Sequence, residues 1–278
     1  MELSSLLIGN NKPSPIEFKK FSETPLLSKK SSTHQAYLTK YLTGLGAKSV
    51  IIEPNYFDRD YLEEFKHLYY KSSRGYPNHC TRLHFFSCDT DEQLFKLALG
   101  GCEASVKTLQ DNYLGFSILR PIESSPLGRT VLRWYPDLQH DSFPRRTTTS
   151  RTYTCHISSI TLKVTGLPWQ QQDSATAACA TVGLWTILHS SAFGDHHSIP
   201  TTAEITNSAE EFGANSFPSQ GLSIQQILEA IKKQNLRPAI ISGQGEKVAL
   251  PGVNEPVDGI NKEMFSSYCA CFLRSGYP

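Results

Sequence analysis

WQQQDSATAACATVGLW, residues 169–185, joins a polar, glutamine-rich loop to a run of small and apolar residues. The run predicts a helix that begins at Cys179. Val182, Trp185, Ile187 and Leu188 spread apolar surface over much of its circumference, which is typical of a buried helix. We therefore expect the surrounding chain to pack around a helix whose first residue is a cysteine.

The position of Cys179 suits nucleophilic chemistry. A thiolate at a helix N-terminus is stabilised by the helix dipole and by free backbone N–H groups. A side-chain amide shortly before it can donate a hydrogen bond to the oxyanion that forms during acyl transfer. Gln172 is the first candidate for this amide and Gln171 is the second. The stretch therefore predicts a catalytic cysteine with an oxyanion site beside it.

The order of features in this stretch is a loop glutamine, a cysteine at a helix start, a small residue and an apolar face. It resembles the nucleophile segment of papain-fold cysteine peptidases, and most of all the bacterial branch similar to the leader peptidases of bacteriocin export. The resemblance implies a hydrolase, a thiol protease in which Cys179 attacks a carbonyl carbon and Gln172 or Gln171 stabilises the oxyanion. The family's glutamine commonly occupies the position that Asp173 has here. Residues 53–61 also resemble an N-terminal extension of such bacterial peptidases.

A papain-like enzyme also needs a histidine base on a strand downstream of the cysteine, held by an Asn or Asp. His189, His196 and His197 follow Cys179, but they lie on the predicted helix or just after it. The resemblance therefore implies a truncated chain that has the nucleophile lobe and lacks the lobe with the base, which would lie beyond residue 278. We expect such a chain to be inactive on its own, because the thiol lacks its base.

Two earlier histidines leave an alternative open. In circularly permuted papain-like folds the strand with the base precedes the cysteine, and His156 and His84 both lie in predicted strands. The competing interpretation is a structural histidine within a sheet.

Composition excludes several classes of function. The net charge is +1, so no strong field favours nucleic acid or a membrane surface. No apolar run approaches the roughly 18 residues needed to span a bilayer. The first 20 residues lack the basic start and apolar core of a signal peptide. The simplest expectation is a cytoplasmic, bacterial protein.

The seven cysteines are irregularly spaced, which favours reduced thiols over a disulfide framework. Cys269 and Cys271 form the one close pair. No second pair or nearby histidine completes a metal site, so packing is the favoured interpretation. We predict neither a metal nor another cofactor.

The chain divides into three predicted parts. Residues 1–33 form a loosely ordered arm rich in Ser, Lys and Pro. Residues 34–145 alternate helices and strands, as in a mixed α/β accessory domain, and residues 146–278 form the nucleophile lobe. The fold class is therefore α+β. Within the third part the pattern predicts a strand over 237–242 and a turn-rich connector over 243–258.

The predicted function is amide or peptide bond hydrolysis through a Cys179 acyl-enzyme. A second hypothesis is a non-catalytic scaffold that binds a peptide or a partner, because the histidine is missing. Amidase or transglutaminase chemistry would use the same cysteine. The expected partners are a peptide or protein substrate, together with self-association or a complementary C-terminal chain that covers exposed apolar surface.

Overall fold

A computed structural model describes residues 16–24, 33–135, 150–172, 179–189, 199–210, 222–249 and 255–275. The helices are α1 (Thr33–Gly44), α2 (Arg59–His67), α3 (Glu92–Leu99), α4 (Glu103–Asn112), α5 (Cys179–Leu188), α6 (Thr202–Glu210), α7 (Ile224–Lys233) and α8 (Lys262–Ser275). The strands are β1 (Glu17–Lys20), β2 (Ser49–Tyr56), β3 (Cys80–Phe86), β4 (Tyr113–Leu119), β5 (Leu127–Leu132), β6 (Arg151–Ile157), β7 (Ile160–Gly166), β8 (Pro168–Trp169), β9 (Gln244–Val248) and β10 (Val257–Ile260). The predicted arm, residues 1–33, lies mostly outside the described residues.

A six-stranded sheet forms the centre of the molecule, in the order β1-β2-β3-β4-β5-β8. Within the described ranges every strand pairing is antiparallel, including the separate hairpins β6–β7 and β9–β10. Helices mixed with purely antiparallel strands confirm the α+β class.

The sheet buries apolar side chains on both faces, because side chains alternate along each strand. Val50 and Ile52 of β2 pack in one cluster with Leu38 and Leu42 of α1. Ile51, between them, belongs to the cluster on the other face. That second cluster also contains side chains of α2, α3, α4 and the β6–β7 hairpin: Tyr61, Phe95, Leu109, Cys155, Ile157 and Leu162.

The β6–β7 hairpin and β8 therefore belong to the same packed unit as the N-terminal strands. The sequence places residues 146–278 in a second domain, but the first elements of that part complete the sheet and its core. The boundary at 145–146 falls outside the described residues, and the division into domains stays a prediction. Beyond β8, helices α5, α6 and α7 form a small cluster of their own around Trp185, Ile205 and Ala230.

Three local predictions need correction. Residues 237–242 form no strand, and the predicted connector instead contains β9 and β10. Pro238 cannot donate to a ladder, whereas Gly245 and Gly259 allow the backbones to approach closely. The pattern of Asp60 and Glu63 resembles a capping box, but the N-cap of α2 is Asp58, whose side chain accepts from two backbone N–H groups. The spacing of Ser223 and Gln226 also predicts a capping box, and this one forms at the start of α7.

Gly115 in β4 is expected to tolerate no side chain. Its φ is +124°, and an added Cβ would lie 2.1 Å from the carbonyl oxygen of Val131 on β5. The pairing register shifts at this point, as at a β-bulge. Gly115→Ala should lower the free energy of unfolding by about 2 kcal/mol. Gly101→Ala is the matched control, because that position also has positive φ but open space. Equal losses in urea unfolding of the two variants would contradict the steric explanation.

Candidate functional site

Cys179 is the exposed first residue of α5. The same helix is anchored by Leu184, Trp185 and Leu188, which are buried against α6 and α7. The predicted helix forms, but it is buried on one side only: Ile187, expected inside, is 45% exposed, and the first residue lies at the surface. This is the placement that a nucleophilic thiol requires.

Hydrogen bonds fix two of the three glutamine side chains in the loop before Cys179. Gln171 is buried, its Oε1 accepts from the backbone N–H of Leu127 and its Nε2 donates to Ser124 O, both at 3.3 Å. Gln170 is also buried and donates to Oε1 of Glu64 at 3.1 Å. Gln172 is exposed. The side chain of Gln171 thus serves the fold, and Gln172 is the loop amide that faces solvent near Cys179 in sequence. Residues 173–178, including Asp173, lie outside the described residues.

A buried ion pair holds this loop to the sheet. Glu64 of α2 and Arg120, which follows β4, are joined at 2.8 Å, and both side chains are 1% exposed. Arg120 also donates to the carbonyl oxygens of Ser125 and Gln171. Glu64 additionally accepts from Thr202 at the start of α6. The pair therefore fixes the loop before Cys179 and the helix that packs on α5.

A second buried charged group lies at the start of α2. Arg129 of β5 donates to Oδ2 of Asp58 at 2.6 Å and lies 3.8 Å from Oδ2 of Asp60. Burial raises the pKa of Asp60 to about 7, against the opposing effect of the Arg129 guanidinium. Apart from that ion pair, Oδ2 of Asp60 makes no hydrogen bond to any described residue.

His189 lies just after the C-terminal end of α5. Its Nδ1 is 2.9 Å from the hydroxyl of Tyr153, and its ring packs edge-on against Trp185. Burial lowers the pKa of His189 to about 3, and the nearby guanidiniums of Arg129 and Arg151 lower it further. Ten residues of helix separate it from Cys179 by about 15 Å along the axis, so the two side chains cannot share a proton directly.

The two strand histidines are also engaged elsewhere. His84 is fully buried, with Nε2 at 2.8 Å from Glu53 and Nδ1 at 2.8 Å from the hydroxyl of Tyr113. Burial lowers the pKa of His84 to about 4. His156 is exposed on the β6–β7 hairpin, and its Nδ1 contacts the hydroxyl of Thr161. No hydrogen bond joins a described histidine to Cys179, and His196 and His197 lie outside the described residues.

Two negative findings apply only to the described ranges. No group of three or more His, Cys, Asp or Glu side chains there could hold a metal ion. Among the same residues, no helix combines the length and apolar character needed to cross a membrane.

Comparison with known proteins identifies no relative, since no protein-family model, curated protein or solved structure matches the chain. The structure itself defines the class: an α+β protein with an antiparallel sheet, in which an exposed cysteine is the first residue of helix α5.

Proposed function

We propose that the protein is a papain-like cysteine hydrolase whose nucleophile is Cys179 and whose substrate is a peptide or protein. The observation that carries this proposal is the exposed thiol at the first residue of a helix that Leu184, Trp185 and Leu188 anchor in the core. The loop that precedes it is fixed by Gln170 and Gln171, while Gln172 stays exposed. An oxyanion site needs donors that are placed in advance, and the two fixed glutamines directly before Gln172 support this role.

In the proposed reaction the Cys179 thiolate attacks the carbonyl carbon and a C–S bond forms. The oxyanion accepts hydrogen bonds from the Cys179 backbone N–H and the Gln172 amide. As the carbonyl re-forms, the C–N bond breaks and the amine leaves with a proton from a general acid. Water then hydrolyses the thioester, which releases the carboxylic acid and restores the thiol. His84, His156 and His189 each make a hydrogen bond to another side chain, and none of them makes one to Cys179.

That last observation favours a second candidate, a non-catalytic scaffold that binds a peptide or a partner. Amidase or transglutaminase chemistry would share the thiol and the oxyanion site with the peptidase. We propose that the protein acts in the cytoplasm under each of these candidate functions. Reactivity of the thiol separates the catalytic candidates from the scaffold, because a scaffold has no need of an activated cysteine.

Cys179 should be alkylated by iodoacetamide faster than any other cysteine of the folded protein, because it is exposed at the first residue of a helix. Cys102 is a strict internal control, since it is exposed at the start of α4 and hydrogen bonds from Ser105 lower its pKa. Mass spectrometry of partly alkylated protein gives both rates. If Cys179 reacts no faster than Cys102, the scaffold replaces the hydrolase.

Gln172→Ala should slow acylation of Cys179 by p-nitrophenyl acetate by about 10²-fold, because the oxyanion loses a donor. The same substitution should leave iodoacetamide alkylation unchanged, since alkylation forms no oxyanion. Gln171→Ala is the matched control in the same loop and should instead lower the free energy of unfolding by about 1–3 kcal/mol, because Leu127 N–H loses its acceptor. Equal slowing of both reactions by Gln172→Ala would contradict an oxyanion role.

A further inference from the structure

A cavity of about 420 Å³ lies between α1, the end of β5, β8 and α5. This volume falls within the range of small-ligand pockets, roughly 300–1,000 Å³. Its walls are mostly apolar and include four aromatic side chains: Tyr37, Tyr41, Trp134 and Trp169. The polar groups at the walls are few, with His34 and Thr186 among them. Such a lining fits a large aliphatic or aromatic group.

Two walls of the cavity are formed by residues close to the nucleophile in sequence. Pro168 and Trp169 come directly before the glutamine loop, and Thr186 lies in α5. Thr186 follows Cys179 by two helical turns, so the two residues lie on the same face of α5 and are about 10 Å apart along its axis. An extended peptide covers this distance with about three residues.

The helix face between the thiol and the cavity has a gap at Gly183. This glycine is exposed, and an added Cβ would meet no atom within 4 Å among the described residues. Its φ is not in the left-handed region, so the backbone does not require glycine there. Glycine inside a helix lowers helix stability, which leaves the open surface as the feature that a side chain would remove.

We propose that this cavity binds a large apolar side chain of a peptide substrate, three residues on the acyl side of the bond that Cys179 attacks, with the peptide lying over Gly183. The proposal rests on the hydrolase function proposed above. The acyl side is chosen because that part of the substrate stays attached to the thiol until the thioester is hydrolysed.

The test uses two matched alkylators, acetyl-Phe-Ala-Ala-chloromethyl ketone and acetyl-Ala-Ala-Ala-chloromethyl ketone. Each forms a bond from Sγ of Cys179 to the methylene carbon, and chloride leaves. The phenylalanine probe should label Cys179 at least about tenfold faster, since its ring leaves water for an apolar cavity. Iodoacetamide, which does not reach the cavity, gives the reference rate of the thiol.

Two variants locate the effect. Gly183→Leu should abolish the preference for phenylalanine without lowering the Tm, because leucine is the better helix former. Trp134→Ala removes part of the far wall and should reduce the same preference. Each peptide rate is divided by the iodoacetamide rate of the same variant, because a side chain at position 183 leans toward the helix start and can shield Cys179 from any alkylator.

Equal rates with the two peptides, or a preference that survives both substitutions, would overturn the cavity proposal while leaving Cys179 as a nucleophile. A Cys179 that reacts with iodoacetamide no faster than Cys102 would instead overturn the proposed function, and it would overturn the proposed substrate site as well.

Discussion

Glu64→Ala is expected to lower the free energy of unfolding by about 3–5 kcal/mol, because it leaves the Arg120 guanidinium buried without its carboxylate. Both side chains are 1% exposed, so water cannot replace the lost partner. Gln170 and Thr202 lose an acceptor in the same variant. Urea unfolding followed by circular dichroism measures the loss.

The neighbouring Glu63→Ala is the matched control. Glu63 lies on the same helix but forms only partly exposed contacts with Lys66 and His67, so its loss should cost less than about 1 kcal/mol. A double variant, Glu64→Leu with Arg120→Met, removes both charges and should recover much of the stability. A loss of under about 1 kcal/mol in Glu64→Ala would show that the pair does not hold the loop to the sheet.

The sequence predicts most local elements well, because hydrophobic periodicity and caps are local signals. The patterns predict helices over residues 33–47, 58–70 and 91–99 and a strand over 113–121, and all four elements form. Helix α4 escaped prediction, since it follows α3 across a glycine break at Gly101 and has only a weak apolar face.

The buried ion pair could be predicted only in part. Glu64 falls at helical spacing between Tyr61 and Leu68, on the apolar face of α2, and a carboxylate there signals a buried partner. Arg120 ends an apolar strand in the same way. The sequence cannot join the two, because 56 residues separate them and nothing local encodes which distant cation meets which carboxylate.

The same limit applies to the candidate site. The position of Cys179 at a helix start is a local property and was predictable from residues 169–185. The different roles of Gln171 and Gln172 depend on how β5 runs beside the loop, and this is a tertiary contact. The cavity at Thr186 is likewise closed by α1, which lies far away in the chain.

Acidification from pH 7 to pH 4 is expected to destabilise the fold through its two buried neutral histidines. His84 and His189 have folded pKa values of about 4 and about 3, below the ordinary value near 6.5. Between these values the unfolded chain binds the proton and the folded chain does not, so stability falls as pH falls. Each histidine should cost roughly 3 kcal/mol by pH 4, at about 1.4 kcal/mol per pH unit.

Two carboxylates modify this result. Burial alone would raise the pKa of Glu53, but hydrogen bonds from His84 and Arg82 hold it below its ordinary value, which adds to the acid sensitivity. Asp60 has the opposite effect on stability. Because burial raises its pKa to about 7, the folded state takes up a proton at a higher pH than the unfolded state does. Acidification from pH 7 to pH 4 therefore raises the stability by roughly 3 kcal/mol through Asp60, which offsets the loss at about one histidine.

Asp60→Asn should expose the full effect of the histidines. The amide keeps the shape of the carboxyl but cannot titrate, so the variant should be more stable than the wild type at pH 7 and should lose roughly 6 kcal/mol by pH 4, about twice the wild-type loss. Urea midpoints measured between pH 4.5 and pH 7 give the two slopes. His156→Gln is the control, because this histidine is exposed on the β6–β7 hairpin. Parallel profiles for the wild type and Asp60→Asn would mean that Asp60 stays ionised in the folded protein and that the Arg129 guanidinium outweighs its burial.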